Sequence, residues 1–100
     1  MNYLIAVSIT PIGLKEDIQK HVEEVNEVIA NSGLTYLEHD LFTEIEGPYD
    51  DVMATVKDAA FTLAERGIRV VTTMKGDIRP GYEENMTGKL DRINDQLNKD

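Results

Sequence analysis

TYLEHDLFTEIE, residues 35–46, is the stretch on which the fold turns. Two short strand-like runs lie either side of a polar His39-Asp40 break, too close together to admit a helix between them. That reads as a β-hairpin. Each side of it carries an amphipathic helix. Upstream, from about Glu16 to Asn31, Ile18, Val22, Val25 and Ile29 recur at spacings of 4, 3 and 4, with Glu23, Glu24 and Glu27 off the stripe. This is one apolar helical face, and Gly33 supplies the stop. Downstream, Pro48 sits where a first-turn proline belongs and Asp50 and Asp51 suit a helix N-terminus. Val52, Val56, Ala59, Ala60 and Leu63 form the second stripe, closed by Gly67.

Working outward, Asn2 to Thr10 is apolar and β-branched and ends at the turn Thr10-Pro11-Ile12-Gly13. It reads as a strand buried on at least one face. Ile68 to Lys75 reads as a fourth strand. After Arg79-Pro80-Gly81, the residues Tyr82, Met86, Leu90, Ile93 and Leu97 make a third helical stripe at spacings of 4, 4, 3 and 4. The order is β-α-β-β-α-β followed by a helix. This predicts an α+β, ferredoxin-like sandwich with a four-stranded antiparallel sheet and an extra C-terminal helix. No linker or repeat interrupts it, so residues 1–100 read as a single domain.

Composition narrows the function. There are 19 acidic residues against 10 Lys and Arg, for a formal net charge of −9. Nine of the acids and no Lys or Arg lie between Lys20 and Lys57, while elsewhere ten acids balance ten bases. A basic stripe for nucleic acid and a polybasic patch for anionic lipid are both missing. The longest apolar run, Tyr3 to Val7, is far below the ~20 residues of a membrane-spanning helix. The N-terminus carries no basic segment or cleavage-like site of a signal peptide. With no Cys, thiolate catalysis, disulfides and Cys-ligated metal are excluded. A cytoplasmic protein with no nucleic-acid or membrane partner is expected.

In a βαββαβ sandwich the helices cover one face of the sheet. Strand alternation then sorts the side chains. Burying Ile5, Val7 and Ile9 leaves Leu4, Ala6, Ser8 and Thr10 on the open face. Burying Ile45 adds Phe42, Glu44 and Glu46, and burying Leu37 adds Tyr36 and Glu38; Val70 and Val71 leave the fourth strand ambiguous. The resulting face is too apolar for open water and too acidic for a plain sheet-on-sheet core. Self-association over part of it, with a ligand on the rest, accounts for both properties. The third helical stripe competes for the same cover.

Glu44 and Glu46 beside an aromatic wall of Tyr36 and Phe42 make a reasonable site for an organic cation. Two solvated strand acids are the plainer alternative. Ser8, Thr10, Thr43, Thr72 and Thr73 are strand hydroxyls, each more simply a β-propensity choice than a ligand contact. His39 between Glu38 and Asp40 lacks recognisable metal-ligand spacing. No phosphate-binding glycine loop or Ser-His-Asp arrangement is evident, and catalysis is not expected.

Three segments together resemble the small ferredoxin-like thiamine-binding protein family: Ser8-Ile9-Thr10-Pro11-Ile12-Gly13, Thr43-Glu44-Ile45-Glu46-Gly47 and Thr72-Thr73-Met74-Lys75-Gly76-Asp77-Ile78-Arg79. The resemblance spans nearly the whole chain. It implies non-catalytic, cytoplasmic binding of thiamine or its hydroxymethylpyrimidine part, as ligand and not as cofactor. It also implies self-assembly as a dimer and then a tetramer. By motif position Ser8, Thr10, Thr43, Glu46, Thr73 and Asp77 carry over, while Gly76 and Ile78 depart from the pattern. Joined to the cation argument, the expected ligand residues are Ser8, Thr10, Tyr36, Thr43, Glu44, Glu46 and Thr73. Two other readings stand beside this one. An ACT-like regulatory or structural module would bind another metabolite or none, and a small enzyme would use His39 with Glu38 or Asp40.

Overall fold

A computed structural model describes residues 1–81. The chain runs β1 (Asn2–Ile12), α1 (Ile18–Ala30), β2 (Thr35–Glu38), β3 (Thr43–Pro48), α2 (Tyr49–Ala64) and β4 (Arg69–Ile78). The four strands form one sheet in the order β2-β3-β1-β4, and each neighbouring pair is antiparallel. Each helix therefore joins two parallel strands that are separated by a third, which is the split βαβ arrangement. The third helical stripe, from Tyr82 to Leu97, lies outside the described residues.

The core forms where both helical stripes meet the inner face of β1 and β3. Ile5, Val7, Val25, Ile29, Ile45, Val52, Val56, Ala59 and Leu63 are all buried there. The upper end of the first stripe behaves differently: Ile18 is half exposed, and with Val22 it walls a cavity instead of filling the core. On the outer side of the helices Arg66 on the α2 side donates to Glu24 of α1. That hydrogen bond, outweighing desolvation, lowers the Glu24 carboxyl below its usual range. A lowered carboxyl pKa means that the pair supports the fold at neutral pH and fades as pH falls through that value. An exposed pair of this kind is a minor contributor.

The register settles which residues share a face, and it corrects the second strand. Four residues, His39 to Phe42, join β2 to β3, and the His39 N–H donates to the Phe42 carbonyl at 2.9 Å. This sets Glu38 opposite Thr43 and Tyr36 opposite Ile45. Opposed residues point to the same side of a ladder, so Tyr36 lies beneath the helices and packs on the core. Leu37, opposite Glu44, takes the open face instead. The expected phase would have needed a loop of odd length. Phe42 falls before β3 begins, inside the loop. In β4, Val70 packs on the core and Val71 faces outward, 43% exposed.

β1 also runs further than expected, straight through Pro11. The Met1 carbonyl accepts from the Tyr49 N–H at 3.0 Å, so odd-numbered residues of β1 send their main-chain groups toward the β3 side and even-numbered ones toward β4. Pro11 is odd-numbered, and the β4 ladder loses no bond at it. Pro48 sits opposite Asn2, again at a position that takes no ladder bond.

Gly76 has a specific task. It faces Ile5 across the ladder, diagonal to Tyr3, and the Tyr3 ring lies over it, tilted against Tyr49 with centroids 5.0 Å apart. A Cβ at residue 76 would overlap the Tyr3 phenol. Gly76→Ala should therefore cost about 1–3 kcal/mol in urea unfolding, the usual range for overpacking. Adding Tyr3→Leu should recover part of that loss, so the two changes should be clearly non-additive.

Candidate functional site

β1 outlasts β3. Their pairing ends at Val7 opposite Thr43, yet β1 continues to Ile12 with only β4 alongside. The gap left beside Ser8 to Pro11 is closed on one side by the β2–β3 loop and on the other by the first turns of α1. It forms a cavity of about 360 Å³.

The cavity's chemistry is mixed. Ser8 and Thr10 are two residues apart on one face of β1, with their hydroxyls 3.2 Å apart. Thr43, the first residue of β3, is buried at the cavity floor. The loop supplies a stacked pair, His39 on Phe42, with centroids 4.7 Å apart and planes at 29°. The His39 Nε2 reaches back to Glu44 Oε1 at 3.5 Å, tying the loop to the open face of β3. Ile18, Val22 and Pro11 provide apolar wall. A planar ring can lie on the His39–Phe42 stack while hydroxyls bond its edge.

On the open face, a second, shallower depression of about 180 Å³ has Ala6 at its base and Leu4, Glu44, Lys75 and Asp77 around it. Ala6 stands between Glu44 and Lys75 in the register, and the small side chain leaves the notch. Glu44 therefore borders this depression and, through His39, the larger cavity.

The expected site residues separate accordingly. Ser8, Thr10 and Thr43 come together at the cavity, and Glu44 stands at its margin through His39. Thr73 is opposite Ser8 on β4 and extends the hydroxyl row across the exposed face. Glu46 is 4% exposed, and its Oε2 accepts from the Asn2 amide at 3.3 Å. It has a local partner already, two pairs along the strand from the cavity margin. Tyr36 is on the opposite face from the acidic pair. The aromatic surface comes from His39 and Phe42 of one tight loop instead. Strand alternation does not reach loop residues, and only the closed four-residue turn brings these two rings together. Asn26 of α1 also borders the cavity, with nothing local in the sequence to mark it, and so does Asp40, next to His39 in the loop. Among the described residues no group of three or more His, Cys, Asp or Glu could hold a metal ion, and no helix is long and apolar enough to cross a membrane.

Comparison with known proteins agrees with this architecture. The UPF0045 protein Mb1933 of Mycobacterium bovis is 40% identical over 91 residues, covering 90% of this chain and 89% of that one. The structure of a domain of unknown function, DUF77, from Bacillus cereus superposes with a TM-score of 0.81 at 25% identity, over 96% of this chain and 93% of its own. A Thermotoga maritima structure, of a protein proposed to act in thiamine biosynthesis or salvage, gives a TM-score of 0.78 at 20% identity, over 93% and 99% of the two chains; it speaks for the fold. Residues 5–94 match the family described as Thiamine-binding protein. Over nearly its whole length, then, this chain belongs to the thiamine-binding protein family.

Proposed function

We propose that this protein binds thiamine or its hydroxymethylpyrimidine part without chemically changing it, as a cytoplasmic carrier, buffer or sensor built from several copies of the chain. The observation that carries this reading is the cavity beside Ser8 to Pro11, ahead of the start of β3. There, three hydroxyls (Ser8, Thr10 and Thr43) and the His39–Phe42 stack surround space for a substituted six-membered ring. An aminopyrimidine supplies the flat face for the stack and ring nitrogens for the hydroxyls. Membership of a family described as thiamine-binding supports the same ligand class.

The thiazolium of thiamine is a permanent cation. Asp40 lines the cavity from the loop and Glu44 borders it by way of His39, so the cationic ring is assigned to this acidic side and the pyrimidine to the Ser8 side. Lys75, beside the open-face notch, repels a cation placed further along the sheet. Thr73 contributes at the exposed end of the hydroxyl row. Glu46, held by Asn2, acts on the fold of β3 more than on the ligand, and Tyr36 acts through the core.

Self-association rests on β4. It is an edge strand of ten residues, and Val71, Met74 and Ile78 along it are all exposed. A long edge with apolar side chains is what a soluble chain normally covers. A dimer formed there, and a tetramer of two dimers, would do so.

Thermal unfolding with thiamine, hydroxymethylpyrimidine, common amino acids and divalent metals separates the readings. Either pyrimidine compound at ~100 Kd should stabilise the protein by about 2.7 kcal/mol. A shift with amino acids or metals and none with the pyrimidines would reject the proposed ligand. Glu44→Gln should weaken thiamine by roughly two- to fivefold, as expected for a partly exposed ion pair, while hydroxymethylpyrimidine, which lacks the cation, should bind unchanged in calorimetry. Light scattering should return at least twice the mass of one chain, and a monomer would reject assembly through β4.

A further inference from the structure

The cavity has a main-chain wall whose hydrogen-bonding groups can be followed one by one. In β1, residues 3, 5 and 7 face Gly47, Ile45 and Thr43 on β3, in the same phase as the bond from Tyr49 N–H to the Met1 carbonyl. Ile9 is the next residue of that phase. Its N–H and carbonyl point away from β4, where Ile9 sits opposite Thr72 at a position without ladder bonds. β3 begins only at Thr43, so no strand meets them, and among the described residues no other main-chain or side-chain partner does. Ile9 lines the cavity. Both groups open onto the cavity, where they are available to its occupant.

The neighbours of Ile9 decide what kind of occupant fits. Pro11, the next residue of the same phase, has no N–H, so an added strand would lose its ladder immediately after Ile9. The loop from His39 to Phe42 blocks continuation in the other direction. The edge thus offers one donor and one acceptor from a single extended residue, side by side, with an aromatic stack above. A small planar molecule with a donor next to an acceptor on its rim matches this. An extended peptide does not.

We propose that the main-chain N–H and carbonyl of Ile9 form a two-point recognition edge for the amidine-like pair of an aminopyrimidine. Its ring nitrogen accepts from the Ile9 N–H and its exocyclic amino group donates to the Ile9 carbonyl. Ser8, Thr10 and Thr43 bond the remaining substituents. This rests on the reading of the cavity as a pyrimidine site and adds the group that selects for the amino substituent. Main-chain recognition also explains how the site tolerates an apolar residue at its centre, because the Ile9 side chain packs on the core while its backbone serves the ligand.

The test uses the full-length chain labelled with ¹⁵N, titrated with hydroxymethylpyrimidine and with the analogue carrying methyl in place of the amino group. On the first, the Ile9 amide proton should move downfield more than its neighbours, and the methyl analogue should bind roughly tenfold or more weakly, as for one hydrogen bond with a buried carbonyl left unpaired. Ile9→Pro deletes the N–H without breaking the β4 ladder and should weaken hydroxymethylpyrimidine by about tenfold. The amide reading on the wild-type chain stands whether or not Ile9→Pro folds. Equal binding of the methyl analogue, or binding with an unmoved Ile9 amide, overturns the recognition edge and leaves the pyrimidine site standing. Absence of binding by both thiamine and hydroxymethylpyrimidine overturns the two together.

Discussion

The rest of the molecule depends on the antiparallel ladder of β1. From Tyr3 to Val7 this strand is paired on both sides, and from Ser8 to Ile12 on one side only. The doubly paired half carries Ile5 and Val7, two of the best-buried residues, against which both helices pack. The singly paired half is held straight by β4 yet leaves one main-chain edge open. A strand that is half core and half cavity wall couples that wall's position to the fold, while the His39–Phe42 stack comes from the loop. Under the proposed function this wall needs little ordering on binding, which is the main saving a preformed site offers.

Charge reaches the site through partners and not through quantity. The acidic excess between Lys20 and Lys57 reads in the sequence as an undifferentiated surplus. In the folded chain its members differ. Glu24 is bound to Arg66 from beyond the stretch, Glu46 is held by Asn2 from the first strand, and Glu44 is engaged by His39 from the adjacent loop. Of the three, Glu44 alone is both part-exposed and beside the cavity, where it joins Asp40 of the loop.

Much of this was legible in the sequence. The helical stripes, the hairpin and the order of elements follow from periodicities local to each segment, and Ile5, Val7, Val25, Ile29, Ile45 and Leu63 sit where those periodicities place them. The phase of β2 departs from expectation because it depends on loop length, and no alternation pattern within TYLE distinguishes Tyr36 from Leu37 as the buried residue. The end of β1 lies beyond the expected one because Pro11 signals a turn unless the direction of its missing N–H is known, and that comes only from pairing. The cavity itself arises from a difference in length between two strands some thirty residues apart. No local pattern records such a difference, although the hydroxyls Ser8, Thr10 and Thr43 that line it were each visible.

The four residues joining β2 to β3 have one more consequence, for how this chain tolerates insertions and deletions. Side chains in a strand alternate, so lengthening the His39–Phe42 loop by a single residue exchanges the two faces of β2, sending Tyr36 into solvent and Leu37 under the helices. Lengthening it by two restores the phase. Length variation at this loop should therefore be accepted in even steps, or in odd ones when a β-bulge absorbs the extra residue. A library of loop variants would show that alternation directly as folded and unfolded members.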